Sequence, residues 1–462
     1  MASETLVNSL IESDRAHWIH PVASWSDHEK RGATVLRSAR GVYLTDVEGH
    51  ELLDGFAGLW CVNVGYGHES IVEAAARQMR QLPYATGYFH FGSEAAILLS
   101  QKLAERAPGD LDHVYFGLGG SDAVDGVVRF IRYYYNVTGR PAKKHMIALE
   151  RGYHGSSSTG SGLTGLPAFH LNFDVPTPLQ HHIAPPYRYR SDAPNDAELI
   201  ARSVAELKAK VEELGAENVA AFFAEPVIGS GGVIVPPKGW LSAMQAACRE
   251  LDILFVVDEV ITGFGRTGPL FACEHEGVTP DFMTVAKGLT SGYVPMGALF
   301  MSDRIYRAIA DNTPPGVLVG HGQTYSGHPV SAAIALEVLR LYEEDGILAN
   351  GQKMGAYFGK RLQELSSHPL VGDVRSLGLL AGVELVTNKT TKAQPAKALA
   401  VPDHLARIGY RNRLIFRAFG DGIVGFAPPL NISESEVDLL IDRFTMTLDE
   451  LLTIKEIRDA VD

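Results

Sequence analysis

Short apolar runs that end in a polar residue recur along the middle of the chain, from about residue 114 to residue 301. Several are followed by a Gly-rich loop and then by helical periodicity, which predicts strands alternating with helices. Continuous apolar strands of this kind are typical of a parallel sheet covered by helices on both faces. The predicted strands are Val114–Phe116, Met146–Leu149, Ala220–Phe223, Leu254–Val257, Met283–Ala286 and Ala298–Met301.

The two ends of the chain follow other patterns. Residues 42–46 and 51–54 flank the turn signal Glu48-Gly49-His50, which predicts a hairpin. Late in the chain the pattern predicts strands within 371–385 and 414–424 and then a final helix.

From these patterns we predict two domains in three segments, because 462 residues exceed the usual size of a single core. Residues 170–200, rich in Pro, His and Tyr, are predicted to form a long loop. The predicted segments are 1–70 for the N-terminal part of a small domain, 71–329 for a large domain and 330–462 for the C-terminal part of the small domain.

Composition narrows the classes of protein that fit. Apolar residues make up 46% and charged residues 21% of the chain, which is usual for a globular protein. The formal net charge of −13 argues against a nucleic-acid partner, which would need clustered Lys and Arg.

We expect a cytoplasmic protein without a membrane partner, because the first residues lack a signal-peptide pattern and no apolar run reaches roughly 18 residues. Cys61, Cys248 and Cys273 are odd in number and widely spaced, so neither disulfides nor a metal site is expected.

A carboxylate and an amine stand at the ends of two apolar runs. Asp258 follows Leu254–Val257, and Lys287 follows the run that begins at Met283. Asp258 alone would be interpreted as a helix cap. Lysine is rarely buried unless it is paired, so a lysine and an aspartate at the ends of buried strands together indicate a functional site. In a parallel sheet, such a site lies beyond the carboxyl ends of the strands.

Pyridoxal 5'-phosphate (PLP) chemistry requires this pair. The lysine amine forms an imine with the aldehyde of the cofactor, and the aspartate keeps the pyridine nitrogen protonated so that the ring withdraws electrons. Partial desolvation favours the neutral, nucleophilic amine.

Two further segments follow strand ends. Gly117-Leu118-Gly119-Gly120-Ser121-Asp122 precedes a predicted helix through Tyr133, and glycines at a helix N-terminus let the backbone approach a phosphate. The loop matches neither the P-loop nor GxGxxG, and a Gly-rich turn is also an ordinary helix start. Tyr153, in Arg151-Gly152-Tyr153-His154-Gly155, can stack on a flat ring, with a core tyrosine as the alternative.

Together these segments resemble the class III aminotransferases of fold type I, particularly the omega-amine:pyruvate transaminases. The resemblance runs from Asp46 to about Pro429 and is most specific in Asp258-Glu259-Val260-Ile261-Thr262-Gly263-Phe264-Gly265-Arg266-Thr267-Gly268 and in Ala286-Lys287-Gly288-Leu289. It implies an α/β fold, with a large domain whose mainly parallel seven-stranded sheet is sandwiched by helices and a smaller α+β domain from both termini. It also implies PLP as cofactor.

The resemblance implies a role for each matching residue. Lys287 is similar to the Schiff-base lysine, Asp258 to the partner of the pyridine nitrogen and Tyr153 to the aromatic residue stacked on the ring; these are the predicted catalytic residues. Ile261 resembles an apolar residue packed against the ring. Thr324 resembles a threonine that reaches the phosphate in the neighbouring subunit, which implies a homodimer with shared active sites and leaves a tetramer open. The predicted cofactor-binding residues are Gly120, Ser121, Asp122, Tyr153, His154, Glu225, Asp258, Ile261, Lys287 and Thr324.

Four more likenesses concern the substrate. Trp60 resembles the aromatic wall of the substrate pocket, with Tyr88 or Phe89 opposite. Arg417 resembles a mobile arginine that binds the acceptor's carboxylate and swings away for an apolar amine, since a guanidinium offers a planar fork to a carboxylate. The ordinary alternatives are a core residue for Trp60 and a surface ion pair for Arg417.

Two positions depart from the family pattern. The phosphate loop usually reads Ser-Gly-Ser/Thr-Asp/Glu-Ala-Asn, but Gly119 replaces the first serine here and Val124 replaces the asparagine. Ser230 stands where the 4-aminobutyrate and ornithine branches usually carry a glutamate that holds the arginine aside. The serine favours the amine:pyruvate branch.

The predicted activity is transfer of an amino group from a primary amine, such as an omega-amine, a diamine or an omega-amino acid, to pyruvate in two half-reactions. The alternatives within the family are a 4-aminobutyrate, beta-alanine or taurine transaminase, or a mutase, racemase or decarboxylase. A pseudoenzyme or binding scaffold is a further alternative, which the presence of Lys287, Asp258, Tyr153 and Arg417 together argues against. The sequence does not name the amine.

Overall fold

The structure of the protein is a computed structural model that describes residues 4–461, with side chains from residue 6 onward. No helix in that range has both the length and the apolarity that crossing a bilayer requires. The strands are β1 Leu36–Arg40, β2 Tyr43–Asp46, β3 Glu51–Asp54, β4 His113–Gly117, β5 His145–Leu149, β6 Gln180–Ile183, β7 Val219–Ala224, β8 Leu254–Asp258, β9 Phe282–Val285, β10 Gly297–Met301, β11 Val371–Leu377, β12 Leu380–Leu385, β13 Leu414–Ile415, β14 Arg417–Ala418 and β15 Ile423–Phe426.

The α-helices lie between and around these strands. They are α1 Glu4–His17, α2 Trp25–Arg31, α3 Ala57–Trp60, α4 Glu69–Gln81, α5 Glu94–Ala104, α6 Gly120–Val137, α7 Gly160–Leu163, α8 Asp196–Leu214, α9 Trp240–Glu250, α10 Asp303–Asn312, α11 Pro329–Glu343, α12 Ile347–Gln363, α13 Val401–Arg411, α14 Glu434–Leu452 and α15 Lys455–Arg458. The helix predicted after the last strands is confirmed as α14, and the short α15 follows it.

A seven-stranded sheet forms the centre of the molecule, in the order β4-β10-β9-β8-β7-β5-β6. Strand β10 is antiparallel to its neighbours β4 and β9, and the remaining neighbours are parallel. The predicted mainly parallel sheet is confirmed. Because β4, β5, β7, β8 and β9 run the same way, the residues after their carboxyl ends meet at one edge of the sheet.

Strand β6 was not predicted. It lies within residues 170–200, which the sequence predicts to be a loop, and it pairs in parallel with β5 alone. An edge strand is hydrogen-bonded on one side only, so it tolerates the polar His181 and His182 that hide the strand pattern.

Helices cover both faces of this sheet. Along β5, Ile147 and Leu149 belong to one buried cluster, whereas Met146 and Ala148 belong to another. Successive side chains of a strand point to opposite faces, so two clusters on one strand mean two covered faces. This arrangement explains why the strands are continuous apolar runs.

Two four-stranded sheets lie outside the central one, in the orders β1-β2-β3-β13 and β11-β12-β15-β14. The predicted hairpin of β2 and β3 is confirmed, with Tyr43 opposite Leu53. Strand β13 pairs in parallel with β3, so residues 36–54 and 414–415 share a sheet. The predicted 414–424 strand is instead three short strands, β13 to β15, one of which extends to Phe426. The domain boundaries at residues 70 and 329 stay a prediction.

A buried ionic cluster joins β12 to the segment after β6. The Glu384 side chain is 0% exposed and accepts hydrogen bonds from Arg190 Nε at 2.7 Å, from Arg375 Nη1 at 3.2 Å and from the Tyr187 hydroxyl. Arg375 also donates to Asp373 at 2.6 Å. A buried charge is tolerated only where partners of this kind replace water.

Replacing Glu384 by Ala should lower the free energy of unfolding by about 3–5 kcal/mol, because two guanidinium groups lose a buried partner. The measurement is the midpoint of guanidinium-induced unfolding. Asp192→Ala is the control, since this carboxylate is 92% exposed and pairs with Arg202 on the surface, and its effect should stay within about 0.5 kcal/mol. Equal losses in the two variants would contradict the assignment.

Candidate active site

A cavity of about 430 Å³ lies at the edge of the sheet where the carboxyl ends of β4, β5, β8 and β9 meet. Its walls come from the residues that follow those strands and from the loop after Lys287. The lining residues are Leu59, Leu118, Gly119, Gly120, Ser121, Tyr153, His154, Gly155, Asp258, Val260, Ala286, Lys287, Thr290, Gly292, Tyr293, Val294, Pro295 and Met296.

Asp258 is the last residue of β8 and is held by hydrogen bonds on both oxygens. Oδ1 accepts from Thr284 Oγ1 at 2.9 Å and from the Val260 N–H at 3.1 Å. Oδ2 lies 2.8 Å from Nδ1 of His154. Burial by itself would lower the pKa of His154, but the hydrogen bond and the charge of Asp258 raise it overall. His154 thus supports the aspartate from the side and fixes where its carboxylate points.

Lys287 follows β9, the neighbour of β8, and lines the same cavity. Its backbone has φ of 42°, a conformation that non-glycine residues seldom adopt and that is typical of functional sites. Burial lowers the pKa of its amine, and the negative charges of Asp258 and Glu225 oppose that shift only in part. The amine is therefore more readily neutral, and so more nucleophilic, than an ordinary lysine.

The start of α6 forms one end of the cavity, with Gly119 at the N-cap in extended conformation and Gly120 as the first helical residue. A Cβ on Gly120 would come 2.9 Å from Val260, so only glycine leaves the backbone open here. Free N–H groups at this helix end can bind a phosphate. The structure brings Ser121 to the cavity but turns the Asp122 carboxylate back to the Leu118 N–H at 3.1 Å.

Tyr153 lines the cavity, and its ring also contacts Phe169 with ring centroids 5.1 Å apart. The Tyr153 N–H donates to Oε1 of Glu225 at 2.9 Å, and the Gly229 N–H donates to Oε2 at 2.9 Å. Burial raises the pKa of Glu225 to about 7. Glu225 therefore orients the loop that carries Tyr153 from behind the cavity wall.

The structure does not bring Ile261 to the cavity. Its side chain is buried in a small apolar cluster with Phe56 and Trp60, whereas Val260 lines the cavity wall. The chain leaves β8 in a turn, so the alternation of a strand does not predict which of the two residues faces the cavity.

Trp60 ends α3 and Arg417 begins β14, and neither residue is among those that line the cavity. Trp60 is 3% exposed and packs edge-on against Phe56, with ring centroids 4.6 Å apart. Arg417 is exposed, and its guanidinium lies over the ring of Phe419, which packs against the cluster of Trp60. Within residues 6–461, no carboxylate lies within 4.0 Å of the Arg417 guanidinium.

Tyr88, Phe89 and Thr324 lie away from this cavity. Tyr88 and Phe89 line a separate groove of about 870 Å³, which we call the lateral groove, formed mainly by residues 85–93 and 318–322. Phe89 is 78% exposed there. Thr324 is exposed nearby, and its carbonyl accepts from the Tyr84 hydroxyl at 2.9 Å. These residues do not contribute to the site of their own chain.

Sequence reasoning missed Val260, Leu59, Thr284 and the loop 290–296. Thr284 lies beside Asp258 on the neighbouring strand, a pairing that only the sheet register shows. The loop 290–296 contains Gly292 and Pro295 and follows Lys287 closely in the sequence. This nearness to the lysine is the signal that indicates a loop at the site.

The residues around the cavity fit PLP. The amine of Lys287 and the carboxylate of Asp258 come from neighbouring strands, as a pyridine ring held between them requires. The ring of Tyr153 offers a stacking surface, and the glycine cradle at the start of α6 offers N–H groups to the phosphate.

Comparisons with known proteins agree with this geometry. The family model described as Aminotransferase class-III matches residues 25–448. A putrescine–pyruvate aminotransferase of Pseudomonas aeruginosa is 43% identical over 441 residues, which cover 94% of this chain and 95% of that protein. A diaminobutyrate–2-oxoglutarate transaminase of Halomonas elongata is 38% identical over 447 residues, 95% of each chain.

Solved structures are similarly close. A thermostable (S)-enantioselective omega-transaminase from Thermomicrobium roseum superposes with a TM-score of 0.94 at 40% identity, covering 96% of this chain and 99% of that one. The omega transaminase of Pseudomonas jessenii in complex with PMP superposes with a TM-score of 0.93 at 37% identity, covering 96% and 98%. The chain belongs to the class III aminotransferases, which are PLP-dependent enzymes of fold type I.

Borohydride reduction of the PLP-loaded enzyme should attach the cofactor to the peptide that contains Lys287. Lys143 is the matched control, because it is also a buried lysine whose pKa burial lowers, but it lies next to Asp252 and not on the cavity. Lys287→Ala should lose the label and at least about 100-fold in turnover, whereas Lys143→Met should keep both. Peptide mass spectrometry reports the label, and a label retained in Lys287→Ala would contradict the assignment.

Proposed function

We propose that the protein transfers an amino group from a primary amine, such as a diamine or another omega-amine, to pyruvate. The observation that carries the proposal is an exposed Arg417 with no carboxylate partner among the described residues, beside an apolar cluster that contains Trp60. The similarity to a putrescine–pyruvate aminotransferase supports the same pair of substrates.

Lys287, Asp258 and Tyr153 would act directly on the reaction. When bound, PLP supplies an electron sink for the bonds at the substrate carbon. The Lys287 amine takes a proton from that carbon and returns it, as general base and acid. Asp258 would hold a proton on the ring nitrogen with a carboxylate that hydrogen bonds to Thr284 and His154 keep in place. Tyr153 holds the ring flat, and Ser121 with the start of α6 holds the phosphate.

One site would accept two kinds of substrate. The planar fork of Arg417 suits the carboxylate of a keto acid, and an arginine without a carboxylate partner needs no ion pair broken before it binds. An amine donor has no such carboxylate, so it would use the apolar surface near Trp60 and Leu59 instead.

A transaminase for 4-aminobutyrate, beta-alanine, taurine or diaminobutyrate is the second candidate. The similarity to a diaminobutyrate–2-oxoglutarate transaminase and, at 35% identity, to gamma aminobutyrate transaminase 3 of Solanum lycopersicum favours it. Ser230 in place of a glutamate favours the amine donor. A panel of donors, each assayed with pyruvate and with 2-oxoglutarate, separates the two candidates.

The site would be completed by a second copy of the chain. Large apolar side chains are exposed around the lateral groove, including Phe89, Phe91 and Leu318 at 78%, 68% and 77%. Exposed apolar patches of this kind are typical of protein interfaces. We propose a homodimer in which Tyr88, Phe89 and Thr324 reach the partner's cavity. We also propose a cytoplasmic location, because Cys61, Cys248 and Cys273 are free thiols.

Arg417→Ala should weaken the keto-acid half-reaction selectively. The value of kcat/KM for pyruvate should fall on the order of 10- to 100-fold, because the variant loses hydrogen bonds between a charged side chain and the carboxylate of pyruvate. The amine half-reaction, followed separately by stopped-flow absorbance, should change less than about threefold. Arg411→Ala, at an exposed arginine paired with Glu450, is the control and should change neither. Equal losses in both half-reactions of Arg417→Ala would exclude a carboxylate-binding role.

Mixed dimers should test the shared sites. Lys287→Ala and Thr324→Glu should each be inactive alone, but coexpressed they should recover about a quarter of wild-type activity, because each mixed dimer keeps one intact site. The matched control is coexpression of Lys287→Ala with Asp258→Asn. One chain supplies both residues to a site, so each of the two sites in the mixed dimer carries one of the substitutions and neither is intact. Recovery in the control, or no recovery in the test pair, would exclude the proposed exchange of residues.

A further inference from the structure

Two histidines and an aspartate meet in the N-terminal part of the chain, outside the catalytic cavity. Asp14 lies in the last turn of α1, His20 lies in the loop after it, and His28 lies in α2. We call these three residues the arm cluster. Nε2 of His20 is 2.7 Å from Oδ1 of Asp14, and Nε2 of His28 is 3.1 Å from Oδ2. Three potential ligand atoms therefore converge within 4.8 Å of one another.

Hydrogen bonding leaves part of the arm cluster unsatisfied. The side chains of Asp14, His20 and His28 are only 9%, 22% and 14% exposed. Among the described residues, Oδ2 of Asp14 and Nε2 of His28 are buried and have no hydrogen-bond partner, although the two atoms are close together. Buried polar atoms without a partner are unusual and costly, so this pair points to a bound ion that contacts both.

The distances suit a small divalent cation. Zinc binds imidazole nitrogen and carboxylate oxygen at about 2.0–2.2 Å in a tetrahedron, which places ligand atoms about 3.3 Å apart. In the arm cluster the imidazole nitrogens lie 2.7 and 3.1 Å from the two different oxygens of Asp14, so side-chain rotations that lengthen these distances toward that value would admit the ion. Two imidazoles and one carboxylate are a transition-metal donor set, whereas Mg²⁺ and Ca²⁺ prefer oxygen ligands.

A second group of three potential ligands shows the contrast. Asp46, Glu48 and His50 also place their ligand atoms within 4.8 Å. There, however, Oδ1 of Asp46 accepts from the N–H groups of Glu48 and His50 at 2.9 Å each, and Oδ2 is close to Tyr410 and His50. Its carboxylate is already satisfied by the protein, so this group needs no ion.

We propose that Asp14, His20 and His28 bind one zinc ion per chain, with solvent at the fourth position. The ion would join α1 to α2 and fix the loop between them, whose Trp18, Ile19 and Val22 are 64%, 73% and 73% exposed. The zinc ion would hold α1 and α2 together and would take no part in the transamination chemistry. The sequence did not indicate it, because a spacing of five and then seven residues between the ligands matches no common zinc motif.

Trp18 provides a local reporter for the ion. Its ring stacks on His20, with centroids 4.5 Å apart and planes at 29°. Binding at His20 would change the surroundings of that indole. The other tryptophans, Trp25, Trp60 and Trp240, do not stack on a ligand of the arm cluster.

The test uses untagged, PLP-loaded enzyme stripped of metal with a chelator and titrated with Zn²⁺ against a chromophoric chelator. The expected result is one tightly bound zinc per chain, with a change in tryptophan emission that Trp18→Phe abolishes. Limited proteolysis should show that zinc slows cleavage between α1 and α2. Mg²⁺ in the same titration should produce none of these effects.

The ligand variants decide the proposal. Asp14→Asn, His20→Ala and His28→Ala should each weaken zinc binding at least about 10-fold. The control His50→Ala should leave it unchanged, and an unchanged circular dichroism spectrum would show that each variant still folds. Zinc binding that survives His20→Ala with His28→Ala, or no zinc bound by the wild-type enzyme, would overturn the proposal. Because the readouts are metal content, emission and proteolysis, the result is independent of the proposed substrates.

Discussion

The active site depends on a carboxylate and an amine held out of water at the same edge of a parallel sheet. Asp258 ends β8 and Lys287 follows β9, so the backbone pairing of two neighbouring strands sets where both groups stand. Burial lowers the pKa of Lys287, while hydrogen bonds from Thr284 and His154 hold Asp258 as an acceptor. One site therefore brings together an amine that is more readily neutral than an ordinary lysine and a carboxylate fixed by hydrogen bonds, the two groups that PLP needs at opposite ends of its ring.

The polar groups behind the cavity make this arrangement possible. A buried carboxylate without partners would be costly, and Asp258 and Glu225 each accept hydrogen bonds at both oxygens. These bonds come from the residues after β5, β7 and β8, and those from Tyr153 and His154 also orient these two residues. Positioning and stability thus rest on one network of hydrogen bonds.

The residues proposed to bind the substrates come from other parts of the fold. Arg417 and Trp60 belong to short strands and turns at the ends of the chain, brought together because β13 pairs with β3. Arg151 joins the two parts through an ion pair with Asp421, with Nη2 and Oδ2 2.5 Å apart. The residues proposed to bind the cofactor therefore follow strands of the central sheet, whereas Arg417 lies on β14 of an outer sheet. This division suits the proposed enzyme, which would bind two unlike substrates in turn.

By itself the sequence determined the α/β class, most strands of the central sheet, the family and the pair of Asp258 and Lys287. These features are local: a strand buried on both faces is a continuous apolar run, and a polar residue at its end is conspicuous. The tertiary structure decided what depends on packing between distant segments. It shows that Val260 and not Ile261 faces the cavity, that the Asp122 carboxylate turns back to its own loop, and that polar residues form β6. It also places Phe89 in a groove of its own and folds α2 back on α1 to unite the arm cluster. Side-chain direction in turns and contacts across the chain follow from three-dimensional packing, and no short sequence pattern records them.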